Sequence, residues 1–233
     1  MKRTLFCLAA VLALATPAAP AAPTSVTEIA ASGNGSVTLP PNVATVNATV
    51  ETNAPGADSA VAQNNATYAR VVDAVTKAGV ARADVTLAYY NMSYNPAPSV
   101  MPPNDGGTRY GYTVSRAFSI KVREVGNAGR VSDACTQAGA TAIDGVTFGI
   151  ADPSAARAQA IAKAVADARA VAEALARAAG LHVVAIRRIE MLGGSSGPVP
   201  MMRMAAAPSQ PTQFDQSNVS VTVSVNVVFL AQP

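Results

Sequence analysis

The amino-acid sequence predicts an α+β fold: two βαββ-like motifs packed together and joined by a linking helix, with antiparallel-rich sheets carrying helices on one side. Three observations lead there. Residues 43–51, 110–123 and 219–229 alternate apolar and polar side chains with the period of two that marks a half-covered strand. Residues 58–78 and 152–179 carry apolar positions at helical spacing. The segments follow one another as β-α-β-β, a short helix, then β-α-β-β again, a repeat of pattern without evident identity between the halves.

Taken in order, Val43 opens a strand with Ala44, Val46, Ala48 and Val50 on one side and Thr45, Asn47, Thr49 and Glu51 on the other. Val37 and Leu39 are in opposite phase, so Pro40-Pro41, which cannot donate to a ladder, marks a break. Asp58 or Ser59 caps a helix ending near Ala78, with Val61, Tyr68, Val72 and Val75 on one face and Asn64 and Asn65 at its polar edge. A tyrosine-rich strand follows over 85–94, then a Pro- and Gly-rich connection over 95–107. In the next strand Tyr110, Tyr112, Val114, Phe118, Ile120 and Val122 point one way, and Arg116 breaks that side by reaching to solvent over its packed stem.

Residues 125–138 form the linking helix, ended by Gly139, and a strand covers 146–150. Asp152-Pro153 starts a long helix, a side-chain cap followed by the residue pre-set for the first turn. Its expected buried stripe is Ile161, Val165, Ala168, Ala172, Leu175 and Ala179. A strand at 183–192 contains Arg187 and Arg188, and a Gly-, Pro- and Ser-rich loop at 193–217 leads into the last strand.

Composition narrows the class. Of 233 residues 50% are hydrophobic, yet only 5% are aromatic, 13% are charged and none is Trp, so small side chains do most of the packing. Collagen-like, disordered and disulfide-dense classes are excluded, and the length fits one domain of two lobes, about 33–124 and 140–233. Met1-Lys2-Arg3, the uncharged run from Leu5 to Ala15 and Ala19-Pro20-Ala21 read as a signal peptide over 1–21, followed by a flexible lead-in over 22–32. The run is shorter than the roughly 20 residues a membrane helix needs, so no span remains after cleavage.

Removing Lys2 and Arg3 lowers Lys+Arg from 17 to 15 against 14 acidic residues, leaving a net charge of +1 and no basic run for nucleic acid. One cysteine, Cys135, remains among Val131, Ala134 and Ala138, where it reads as a small buried hydrophobe.

No catalytic constellation, cofactor motif or Cys/His metal cluster stands out. The interface candidates are Tyr94, Tyr110, Tyr112 and Arg116, on adjoining strands beside the first long loop. Met201, Met202 and Met204 are the candidate soft ligands, for Cu(I) or as oxidant acceptors, against the plainer reading of a loop packing on another subunit. His182 is the lone histidine and the centre of the alternative in which the chain is a hydrolase.

Three segments, read together, resemble the SIMPL-domain family of exported bacterial proteins, which includes periplasmic immunogenic proteins and an oxidative-stress defence protein. The first is Ser32-Gly33-Asn34-Gly35 with Pro40-Pro41-Asn42-Val43-Ala44, where Asn42 stands in place of the family's usual Asp. The second is Ala78-Gly79-Val80 with Asp84-Val85-Thr86. The third is Gly139-Ala140 through Asp144-Gly145-Val146-Thr147-Phe148, ahead of the alanine-rich helix. The resemblance covers nearly all of the exported chain. It implies a periplasmic or outer-surface protein of two mixed α/β motifs, ring-like homo-oligomers in some members, and a part in oxidative-stress tolerance. It carries no catalytic residues over. An envelope protein partner is a separate expectation, from the long loops that could order against neighbours.

Overall fold

The computed structural model describes residues 26–97, 110–192 and 212–233. Seven strands form two antiparallel sheets. They are β1 (Thr27–Leu39), β2 (Val43–Ala54), β3 (Val85–Asn95), β4 (Gly111–Val122), β5 (Ala142–Gly149), β6 (His182–Leu192) and β7 (Val219–Gln232). The helices are α1 (Ala57–Lys77), α2 (Ala128–Ala138) and α3 (Ser154–Ala178). One sheet runs β3-β4-β2-β5 under α1 and α2; the other runs β1-β7-β6 under α3. The α+β class is therefore as expected, with helices on one side of each sheet.

The sheets cut across the repeat. β5, expected to open the second motif, pairs with β2 of the first sheet, and β1 pairs along its length with β7 at the other end of the chain. The lead-in expected over 22–32 is strand from Thr27 onward, with Thr27 opposite Ala231. Pro40 and Pro41, with no N–H to give, sit where the chain leaves one sheet for the other. Asn42 holds the corner: its N–H donates to the Gly149 carbonyl at 3.0 Å and its Oδ1 accepts from the Ala151 N–H at 2.7 Å.

The cores differ. Under α1 and α2 the sheet contributes Val46, Val50, Phe118 and Ile120, met by Val71, Val75, Val131 and Cys135, all at most 1% exposed. Asn64 is not at a polar edge. It is fully buried, its amide donating to the Val50 carbonyl at 3.0 Å and the Val114 carbonyl at 3.2 Å, while its Oδ1 meets no partner among the described residues. The start of α1 is Gly56, with no side-chain cap from Asp58 or Ser59.

Under α3 the buried stripe matches the expected one at Ala168 and Ala172, with Ile161 and Val165 packed at its margin, but Ala156, Ala160, Ala164 and Ala176 complete it, while Leu175 is 49% exposed and Ala179 is exposed too. The reason is distance. Gly33 and Gly35 of β1 lie so close to α3 that a Cβ on either would run into the backbone carbonyl of Ala164 or Ala160. Only methyl-sized side chains fit that gap, so the larger ones turn away. Asp152 does hold the helix start, accepting from the Ser154 N–H at 2.9 Å.

Residues 212–218 link the two sheets, leading into β7 from contacts on the four-stranded layer. Thr212 donates to the Asp133 carboxylate of α2 through its N–H (3.1 Å) and hydroxyl (2.6 Å), and Phe214 packs edge-on against Phe148 of β5.

Candidate binding edges

Among the described residues each helix layer leaves one edge strand of its sheet uncovered. α1 lies over β2 and β4, and β3 beyond them shows Leu87, Tyr90, Met92 and Tyr94. Their register partners Phe118, Arg116, Val114 and Tyr112 place them on the helix side of the sheet, past the reach of α1. α3 lies over β1 and β7, and β6 shows Ile186, Ile189 and Met191, whose partners Phe229, Val227 and Val225 put them on the helix side too. Val171 and Leu175 of α3 are 40% and 49% exposed and continue the helix row of Lys163 and Asp167, which bonds β1. Two edges with open backbone and apolar side chains are what proteins ordinarily blunt.

The sequence-derived interface residues fall on the first of these edges. Tyr94 and Tyr112 are direct register partners with ring centroids 4.7 Å apart, and Tyr110 sits half-buried just before β4. Arg116 does not simply reach solvent. Its guanidinium lies over the Tyr68 ring at 4.6 Å and the Tyr90 ring at 5.2 Å and donates to Asn65 Oδ1 at 2.7 Å. Arg82, from the turn before β3, lies over the same Tyr68 ring at 5.9 Å. Tyr68, Arg82 and Asn65 went unrecognised because they come from separate segments that only the packing of α1 on β4 brings together.

The remaining candidates hold less. Met201, Met202 and Met204 lie outside the described residues. His182 is exposed beside Glu173 and Arg177 and makes no hydrogen bond among the described residues. Cys135 is fully buried, and burial pushes its thiol up to about 12, so it is not a reactive thiolate. Among the described residues no group of His, Cys, Asp and Glu is placed to hold a metal ion, and no helix is long and apolar enough to cross a membrane.

A shallow depression of about 420 Å³ on the helix-free side of the four-stranded sheet is lined by Thr45, Thr86, Ser119 and Lys121. Beside it Asp84, nearly buried, takes a two-pronged ion pair from Arg123 at 2.8 Å on both oxygens. That hydrogen-bonded pairing holds the Asp84 carboxyl below its ordinary 3.8.

Fold and edges together define an α+β scaffold of two helix-covered sheets with, among the described residues, apolar strand edges left open. The chain belongs to the SIMPL family, described as a protein of unknown function (DUF541), whose model matches residues 29–229. It is similar to the 26 kDa periplasmic immunogenic protein of Brucella melitensis biotype 1, with 32% identity over 212 residues, covering 86% of this chain and 83% of the relative. The protein of the same name from Brucella abortus strain S19 matches to the same extent.

Proposed function

We propose that this chain is a non-enzymatic module of the periplasm, exported by its N-terminal signal peptide, that self-assembles and binds other proteins through its exposed sheet edges. The relatives' names carry the periplasmic placement, and the family resemblance carries the part in oxidative-stress defence. The observation behind the assembly reading is the uncovered β6 strip of Ile186, Ile189 and Met191.

The β6 edge is self-complementary. An antiparallel pairing of two copies about Ile189 sets Arg188 of one copy opposite Glu190 of the other and Ile189 opposite its counterpart. A two-fold contact of this kind uses one patch twice and closes on itself. Within one chain Arg188 and Glu190 already lie 3.3 Å apart, so the contact extends an ion pair instead of burying a lone charge.

Light scattering on chromatographed mature protein tests this reading. Wild type runs as an oligomer, and Ile189→Asp, which places a carboxylate in the middle of the strip, runs as a smaller species with an unchanged circular dichroism spectrum. A wild type that stays monomeric at high concentration defeats the reading.

A further inference from the structure

We infer that the β3 edge docks an extended, acidic segment of another protein, added to the sheet as a further strand. The inference rests on the reading of the edges as binding surfaces, but it concerns β3 and not the self-pairing β6. Three observations converge on this one surface.

The first is backbone. β3 is the last strand of its sheet, and among the described residues no strand pairs with its outer side. About every second residue from Val85 to Tyr94 therefore turns its N–H and C=O outward with no strand partner among the described residues, the template for strand addition.

The second is the apolar strip. Leu87, Tyr90, Met92 and Tyr94 are 60%, 41%, 46% and 59% exposed along one side of the strand. Side chains of an added strand that point to the helix side would lie against them, since cross-strand neighbours alternate faces together.

The third is charge, and it decides the partner. Arg82 and Arg116 both lie against the Tyr68 ring, and neither meets a carboxylate among the described residues. Other arginines here do so: Arg123 with Asp84, Arg169 with Glu173, Arg187 with Glu28 and Arg188 with Glu190. A guanidinium has five N–H donors, and the contact with Asn65 uses one of those on Arg116. Its face is occupied by Tyr68 and Tyr90, so what remains is the in-plane edge suited to a carboxylate fork.

A strand carrying Glu or Asp among apolar residues satisfies all three features. The chain's own second open edge does not, because the side chains β6 turns to its helix side, Ile186, Ile189 and Met191, include no carboxylate for Arg82 and Arg116.

The test is a fluorescein-labelled, end-blocked octapeptide of alternating Glu and Val, titrated by anisotropy against the mature protein at low salt. Saturable binding is expected, absent for the peptide with Lys in place of Glu. It should also be absent for a Glu-Val peptide N-methylated at every residue, which has no backbone N–H to give along either edge. Arg82→Ala with Arg116→Ala should weaken binding roughly tenfold, as loss of two exposed charge pairs would. Arg82→Ala alone, which leaves the Arg116 stack in place, should give part of that loss should the double variant prove unstable.

No saturable binding of the acidic peptide overturns the inference, as does equal binding of the Lys or N-methylated peptide. Full competition by free glutamate would make this a small-oxyanion site and overturns it too. Repeating the titration with Ile189→Asp separates the two proposals: peptide binding should survive there whatever the subunit number.

Discussion

The two helix-on-sheet layers solve the same packing problem with different side chains. α1 and α2 stand off their sheet on valines and reach Phe118 and Ile120, and each buried aliphatic of that size is worth about 1.5–3 kcal/mol. α3 presents a row of alanine methyls to β1 and β7, with far less apolar area per residue. What it gains is proximity, since Gly33 and Gly35 let the helix backbone approach the strand directly and pack at close range. The first layer is built from volume and the second from the absence of it. The first should therefore tolerate a lost methylene better than the second tolerates an added one.

The sharpest way to break this comparison is to add one carbon at the close approach. Gly35→Ala puts a Cβ into the Ala160 carbonyl, a rigid backbone atom that cannot swing aside, and should cost about 3 kcal/mol in urea unfolding. A change below about 0.5 kcal/mol would mean that α3 is free to ride outward.

In the other layer the corresponding weak point is polar. Asn64→Ala leaves the Val50 and Val114 carbonyls without their buried donor and should cost about 2 kcal/mol, softened because the unpartnered Oδ1 goes as well. An unchanged midpoint would show that water takes over those carbonyls.

The smallest effect sits at the rim of that layer. The Asp84 carboxyl is held below 3.8 chiefly by its hydrogen bonds from Arg123, so its contribution is present above about pH 4. It is lost as pH falls through the lowered folded value. Asp84→Asn should therefore be less stable than wild type at neutral pH, and the gap should close on acidification. Equal stability at neutral pH, or a gap that persists in acid, would leave the ion pair without that role.

The difference between the layers also explains what could be read in advance. Alternation in β2, β4 and β7 is strong because Val, Ile and Phe alternate with Ser, Thr and Asn, and those strands were legible. β1 was missed over its first half because its buried positions are Ala31, Gly33 and Gly35, which carry almost no hydrophobic signal. The same small-residue logic hid the true face of α3, since ranking positions by size favours Leu175 over Ala176 when the contact demands the reverse. Of the binding edge, Tyr94, Tyr112 and Arg116 were visible as neighbours in sequence pattern. Tyr68, Arg82 and the exposed strip on β6 were not, because exposure of an apolar strand depends on how far its helix reaches, which no local spacing encodes.

Thr27 lies opposite Ala231, so the first strand finds its register partner about 200 residues further along the chain. A chain synthesised from its N-terminus must keep that segment without its β7 partner until those intervening residues have appeared. Loop closure over such a separation is slow relative to local pairing. The layer that tolerates no extra atom is thus also the one completed last, and any helper that shields nascent strands would find its longest-lived target in the glycine-bearing segment around Gly33.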